Sequence, residues 1–324
     1  MTEQNLTPEQ HVGQDIGRAA LFVPAPSGGL HELGPDGGEI QVVSSGWRLM
    51  VREFVSNRLA VIALLLLIAV ILFCFVGPDV YHTNQASANL LENNLAPGGS
   101  HPLGTDENGF DELGRIMVGG QAALEIGAFA AAIAIVIGTL YGAISGLIGG
   151  WVDAVLMRFV DVLLSIPYLI IVLVLATKYN GTIVTISLVF GVFAWLVPAR
   201  LVRGEVLTLR ERDFVVAAQT MGSSKSRLIF RHLIPNAMSV TIVNVTFLIA
   251  DSILFLAVLG FLGYGLSFPS TSWGDMLGNA QQYVQNGQWW LVYPVGGLLV
   301  VVVLCFNLIG DALRDAVDVR LRRR

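Results

Sequence analysis

Only two of the 324 residues are lysine, Lys178 and Lys225, and neither follows a glycine. The chain therefore carries no GxxxxGK(S/T) segment, and a phosphate loop able to cradle and hydrolyse ATP is excluded. Its histidines, His11, His31, His82, His101 and His232, form no HExxH or closely spaced pair, and no GxSxG is present. The usual zinc-peptidase and serine-hydrolase arrangements are thereby absent. His82 and His101 read as solvated loop residues, so no metal site is expected. The two cysteines, Cys74 and Cys305, each sit inside an apolar run, where a thiol behaves as a small hydrophobe without a disulfide or metal partner. Charge is scarce too, at 13% of residues with a net charge of -5, and no nucleic-acid motif occurs. Nucleic acid is not an expected partner. What remains is apolar: 54% hydrophobic residues and a mean hydropathy of +0.67 point to a bilayer as the solvent.

Residues 1–46 mix Gly, Pro, Gln and acids without an apolar period, which predicts a disordered cytoplasmic tail. The stretch GWRLMVREFVSNR, Gly46 to Arg58, interleaves Trp47, Leu49, Met50, Phe54 and Val55 with arginines and predicts an interfacial helix on membrane lipid. The first long apolar run begins near Leu59, deeper than a secretory signal of ~15–30 residues, so it is expected to persist as an anchor. Six segments approach the ~20 residues that span a bilayer. They are approximately Leu59 to Val76, Ala122 to Ile148, Ala154 to Thr177, Thr182 to Val202, Val240 to Leu262 and Trp289 to Ile309. The domain reading is 1–46 tail, 47–121 interfacial helix with first span and extracytoplasmic segment, 122–309 five-helix core, and 310–324 basic tail. Arginines crowd the entrance to span one, the loop between spans four and five, and the C-terminus, while acids fill the loop after span one. By the positive-inside rule both termini lie in the cytoplasm. The fold class is an all-α integral membrane protein of six transmembrane helices.

Span two repeats a small residue every four positions, Ala130, Ala134, Gly138, Gly142, Gly146 and Gly150. Such a stripe lets another helix approach closely, whether from this chain or from another subunit.

The loop 203–239 interrupts the apolar pattern. Asp213 is a candidate N-cap, Gly222 a candidate C′ residue, and Phe214 to Met221 between them a short helix of about 12 Å. Ser223 or Ser224 can cap a second helix through Leu228, Ile229 and Leu233, with Pro235 expected to break it. The product is an apolar knob among arginines, for which an interfacial hairpin resting on anionic lipid is the lesser alternative.

These residues resemble the EAA loop of ABC importer permeases. The adjacent Ala217 and Ala218, Gly222 four positions later, and Pro235 after a further helix match that signature, with Val216 standing where glutamate is usual. HPLGTDENGFDELGR (His101 to Arg115), DVLLSIP (Asp161 to Pro167), SWGDML (Ser272 to Leu277) and GDALRDAVDVRL (Gly310 to Leu321) extend the resemblance to the C-type subunit of dipeptide and oligopeptide permeases. Phe110 and Gln121 occupy positions that are usually arginine, and Leu256 one that is often glutamate. The resemblance implies a type I importer permease fold that is not itself catalytic. It implies docking of an ATPase at Asp213, Phe214, Val215, Val216, Ala217, Ala218, Met221 and Gly222. The implied partners are a second related permease subunit, two ATPase subunits that use ATP and magnesium, and an extracytoplasmic solute-binding protein. The binding protein is expected to meet the acidic outer loop and the region from Trp273 to Trp289. No cofactor is expected on this chain.

Intramembrane ionisable groups are costly and mark pathways or pairs. Asp161 and Asp251 are the candidate translocation residues, although Asp161 lies three positions after Arg158 and could pair with it. A nickel-chelate importer of the same family and a proton-coupled secondary transporter are the alternatives. The latter calls for ionisable relays and inverted repeats that the sequence does not display.

Overall fold

The computed structural model describes residues 23–24, 30–33, 39–40, 46–179 and 181–322. Two compact units divide the chain, Met1–Leu49 and Met50–Arg324. In the first, strands β1 (Val23–Pro24), β2 (Leu30–Leu33) and β3 (Glu39–Ile40) pair antiparallel in that order, with Val23 opposite His31 and Glu32 opposite Ile40. The glycine-rich stretches between them are of the composition that lets a chain reverse. These residues thus differ from the disordered tail predicted there. The rest of residues 1–45 falls outside the described residues.

Helix α1 (Gly46–Ser56) occupies the stretch predicted to be interfacial, and Met50 on it packs with Val243, Ala316 and Val317. Asn57 separates it from α2 (Arg58–Phe75), accepting the N–H groups of Leu59 and Ala60 on its side chain and so satisfying two of the unpaired amides at the helix start. Ala60, Ala63, Leu67, Val70 and Cys74 are buried on one side of α2, while Leu59, Leu65, Leu66 and Leu72 stay exposed. A helix apolar all round and packed on one side only is suited to lipid on the other. After α3 (Gly77–Val80), an irregular outer segment leads to α4 (Glu112–Ile148).

Then come α5 (Gly150–Leu164), α6 (Tyr168–Lys178), α7 (Ile183–Ala194) and α8 (Leu196–Leu209). Among the described residues, four helical stretches are long and apolar enough to cross a membrane alone. The pairs α5–α6, bent by 73°, and α7–α8, bent by 41°, raise the number to six when each pair counts as one span. Spans three and four, predicted as continuous, are therefore broken. For the first break the reason is Pro167, which sits at the start of α6 and cannot donate into the preceding turn.

The chain continues through α9 (Asp213–Thr220), α10 (Lys225–Arg227), a π-helical turn at Leu228–Leu233 and α11 (Ile234–Phe261). Pro235 does not end the second loop helix as predicted. Lys225–Phe261 passes as a single span. The wider π turn lies immediately before the proline, where an α-helical turn would have lost a hydrogen bond and met the proline ring. Helices α12 (Trp273–Ala280) and α13 (Tyr293–Arg322) complete the unit.

Helix α4 is the centre of the bundle, and its small-residue stripe is used within the chain. A Cβ on Gly142 would lie 2.4 Å from the Ala199 carbonyl, and one on Gly138 2.7 Å from Pro198. The absence of side chains there lets α8 seat directly on α4.

Candidate functional site

The knob formed by the loop 203–239 is a closed turn with two different faces. Helix α9 begins at Asp213, whereas Arg212 holds the N-cap position without a side-chain bond. The predicted N-cap, Asp213, is thus the first helical residue, where its negative charge still favours the helix N-terminus. At the other end the Ser223 N–H bonds to Ala218 O at 3.0 Å and the Gly222 N–H to Gln219 O at 2.9 Å. This paired closure requires a left-handed residue at Gly222, whose φ is +81°. Ser224, rather than Ser223, caps the next helix by accepting the Arg227 N–H.

Of the residues expected to dock an ATPase, Val215 and Ala218 face inward. Both are buried in a cluster with Val202, Val206, Leu228 and Leu233. Their spacing, three positions apart, places them on one face of α9. Asp213, Phe214, Val216, Ala217, Met221 and Gly222 remain exposed, Met221 at 80%. Phe230, 61% exposed on the π turn, adds to the apolar residues displayed by the loop and was missed in the sequence. Its neighbours Leu228, Ile229 and Leu233 are buried, and only the opposite phase of Phe230 could have signalled its role. The Phe214 ring packs 6.4 Å from that of His232. Arg212, Lys225, Arg227 and Arg231 are exposed and form no ion pair among the described residues. The outer face is thus apolar, with a rim on which these four cations outnumber the exposed Glu211 and Asp213.

The knob is anchored by polar bonds between spans. Arg203 of α8 donates to both carboxylate oxygens of Asp153 on α5, and Ser145 of α4 donates to the same carboxylate at 2.5 Å. Arg210 reaches the Gly146 carbonyl at 3.2 Å. Three helices are tied at the end from which α9 departs.

The second feature is a cavity of about 500 Å³ within the bundle. Ile166, Pro167 and Tyr168 line it at the α5–α6 break, and Phe193, Leu196 and Val197 at the α7–α8 break. From α11 come Asn244, Phe247, Asp251 and Phe255, successive members of one helical face. Asp251, one of the two candidate translocation residues, thus lies on the cavity wall, whereas Leu256 is 1% exposed in the main apolar core. Asp161 is not brought into the cavity lining. It pairs with Arg200 of α8 instead of the predicted Arg158, both partners being about half exposed. The bend between α7 and α8 swings Arg200 toward α5, an approach that spacing along one helix could not reveal.

The two motifs at His101–Arg115 and Ser272–Leu277 form one unit. Asp106 accepts the N–H groups of Asn108 and Phe110 at 2.9 and 2.8 Å, closing the loop that leads into α4. Asp111 caps α4 through Gly114 N–H at 2.8 Å, while its other oxygen meets His101 Nδ1 at 2.9 Å and accepts from the Tyr81 hydroxyl at 3.0 Å. Burial, reinforced by Asp111, pushes the Tyr81 hydroxyl up to about 12, so it remains a donor at neutral pH. Arg115 lies 4.1 Å over the buried Phe110 ring and donates to Pro269 O at 2.9 Å. The Trp273 indole donates to Ile116 O at 3.0 Å, and Ser272 and Asp275 cap α12 reciprocally. Burial raises the Asp275 carboxyl against the lowering effect of its Ser272 and Leu266 hydrogen bonds. Trp273, predicted to meet a partner protein, is 1% exposed and so unable to do so. Trp289 at the other end of that region is exposed. Gln121 donates to Cys74 O at 2.8 Å and ties α4 to α2.

Comparison with known proteins adds an independent line. Residues 117–323 match the family described as binding-protein-dependent transport system inner membrane component, and residues 45–97 match the N-terminal TM domain of oligopeptide transport permease C. The oligopeptide transport system permease protein OppC of Escherichia coli K12 is 39% identical over 274 residues, covering 84% of this chain and 90% of that one. OppC of Bacillus subtilis is 35% identical over 277 residues, or 86% and 90% of the two chains. The dipeptide transport system permease protein DppC of Bacillus subtilis is 32% identical over 325 residues, or 98% and 97%.

Proposed function

The chain belongs to the family of binding-protein-dependent transport system inner membrane components, and on that premise we propose that it is the transmembrane subunit of an ATP-driven importer of dipeptides or oligopeptides. It is a multi-pass membrane protein with up to six spans. The relatives named for oligopeptide and dipeptide transport match over most of both chains, which supports the peptide substrate. The chain makes and breaks no covalent bond. A separate ATPase hydrolyses ATP with magnesium, and the energy enters through α9.

The observation that carries this reading is the two-faced knob. Val215 and Ala218 fix α9 to the spans, while Phe214, Val216 and Met221 are left exposed on it. A face of that kind fits a groove on an ATPase subunit, and its basic rim fits acidic groups around such a groove. Closure of two ATPases would move the knob as a body, with α4, α5 and α8 following through Arg203, Asp153 and Ser145. A second permease subunit would close the open side of the cavity, and an extracytoplasmic binding protein would deliver the peptide. The cytoplasmic placement of both termini follows from the arginine distribution.

Uptake of a labelled peptide into proteoliposomes holding the complete transporter tests the reading. Accumulation should require ATP and binding protein and should not follow an imposed proton gradient. Accumulation driven by the gradient without ATP would overturn it.

A further inference from the structure

Asp251 is the only carboxylate among the described residues that line the 500 Å³ cavity, and no Lys, Arg or His lines it with Asp251. Among the described residues it has no hydrogen bond and no ion pair, in contrast to Asp153 and Asp161, which are held by Arg203 and Arg200. It lies 17 residues after the start of α11 and 10 before its end, about 25 Å and about 15 Å along the helix axis. It thus lies within the interior of the helix that is long and apolar enough to cross a membrane, more than two turns from either end. An unpaired carboxylate there is costly and is retained where it faces a ligand path.

Its surroundings narrow the ligand further. Tyr168, Phe193, Phe247 and Phe255 line the same cavity. Tyr168 and Phe255 meet edge to face with centroids 4.6 Å apart. One carboxylate among aromatic rings is the chemistry that recognises a cation, above all an alkylammonium group, through charge-assisted hydrogen bonds and ring faces together. The wall built by this chain offers no cationic side chain to neutralise Asp251, which leaves the carboxylate available to a cation that passes through.

We propose that Asp251, with Tyr168, Phe193, Phe247 and Phe255 around it, forms a transient binding site for the ammonium group of the translocated peptide. This rests on the peptide-importer reading and adds to it a point of contact inside the membrane. The N-terminal α-ammonium and a lysine side chain share the required chemistry. Both would give up water for Asp251 within the membrane-spanning part of the chain and be released as the cavity opens to the other side.

The test compares three peptides of equal length in proteoliposomes of the complete transporter with ATP and binding protein. One has a free N-terminus and no lysine, one is N-acetylated without lysine, and one is N-acetylated with a single lysine. In Asp251→Asn, uptake of at least one ammonium-bearing peptide should fall about tenfold or more relative to the neutral peptide, when each is scaled to the unaltered transporter. Asp251→Glu should restore most of that ratio, which a merely misassembled transporter would not do. The ammonium peptide that responds identifies the group recognised. If Asp251→Asn changes all three rates by one factor, or none, the proposal is overturned. Failure of the parent importer reading is distinguishable, because the unaltered transporter would then take up none of the peptides with ATP.

Discussion

Arg203 holds the carboxylate of Asp153 with two nitrogens, Nε at 2.6 Å and a terminal nitrogen at 2.5 Å. The contact joins residues 50 apart in sequence and ties α8 to α5 beside the knob. Asp153 is 12% exposed at its side chain and Arg203 33%, so the pair is screened less than a surface ion pair. Motion imposed on α9 can thus reach two further spans through one planar fork.

Arg203→Ala should destabilise the purified complex by about 2 kcal/mol, because Asp153 keeps only Ser145 as a partner. Arg203→Lys should fall between the two, since a lysine cannot reproduce the fork. Combining Arg203→Ala with Asp153→Ala should recover part of the loss in a double-mutant cycle. Thermal unfolding of the detergent-purified complex reads all three, and unchanged melting in Arg203→Ala would refute the tie.

Gly222 has φ +81° with nothing near the position of an added Cβ. The cost of a side chain there is therefore conformational rather than steric. Gly222→Ala should cost about 1–2 kcal/mol locally, Gly222→Asn less, and Gly222→Pro should prevent the turn from closing. ATP-driven uptake should decline in the order Gly, Asn, Ala, Pro. Equal uptake for Gly and Pro would show that the turn is not used.

Substitutions on α9 should separate its faces. Met221→Ser removes an exposed apolar side chain whose burial at an interface would contribute about 1.5–3 kcal/mol, so ATPase co-purification should weaken about tenfold or more. Val216→Glu, which installs the residue usual at that position, should leave the fold of the knob intact because the site is exposed. Val215→Asp should instead disrupt the fold of the knob, since it places a charge among Val206, Leu228 and Leu233. Limited proteolysis of the loop distinguishes the last from the other two.

Trp273→Phe should cost about 1 kcal/mol through the lost indole bond to Ile116 O. Trp273→Ala should cost about 3–5 kcal/mol, as a fully buried aromatic is removed from between α4 and α12. Melting temperatures in one detergent give both values. Equal, small effects would mean that the outer unit does not stabilise the bundle.

The helical class and the approximate spans were legible because apolar runs of bilayer length are a strong signal. The interior of those runs was less so. Nothing in LLSIPY states that Pro167 accompanies a 73° bend, since a proline can also be absorbed, as Pro235 is beside its π turn. The closing turn at Gly222 was readable from local chemistry. The division of α9 into an anchored and an exposed face needed Val206 and Leu228, contributed by other helices. Asp251 stood out as a charge in an apolar run, while the partner of Asp161 depended on a helix bend that brought Arg200 beside it.

Both native thiols are buried, at Cys74 and Cys305, so Met221→Cys would supply an exposed thiol on the outer face of α9. A short thiol-to-amine crosslinker applied to the assembled transporter tests most directly whether energy enters at this helix. The account predicts an adduct between this chain and the ATPase subunit, with ATP-driven peptide uptake lost in proportion to adduct formation. A transporter fully labelled at position 221 that forms no ATPase adduct, or that forms one and still takes up peptide at the original rate, would contradict it.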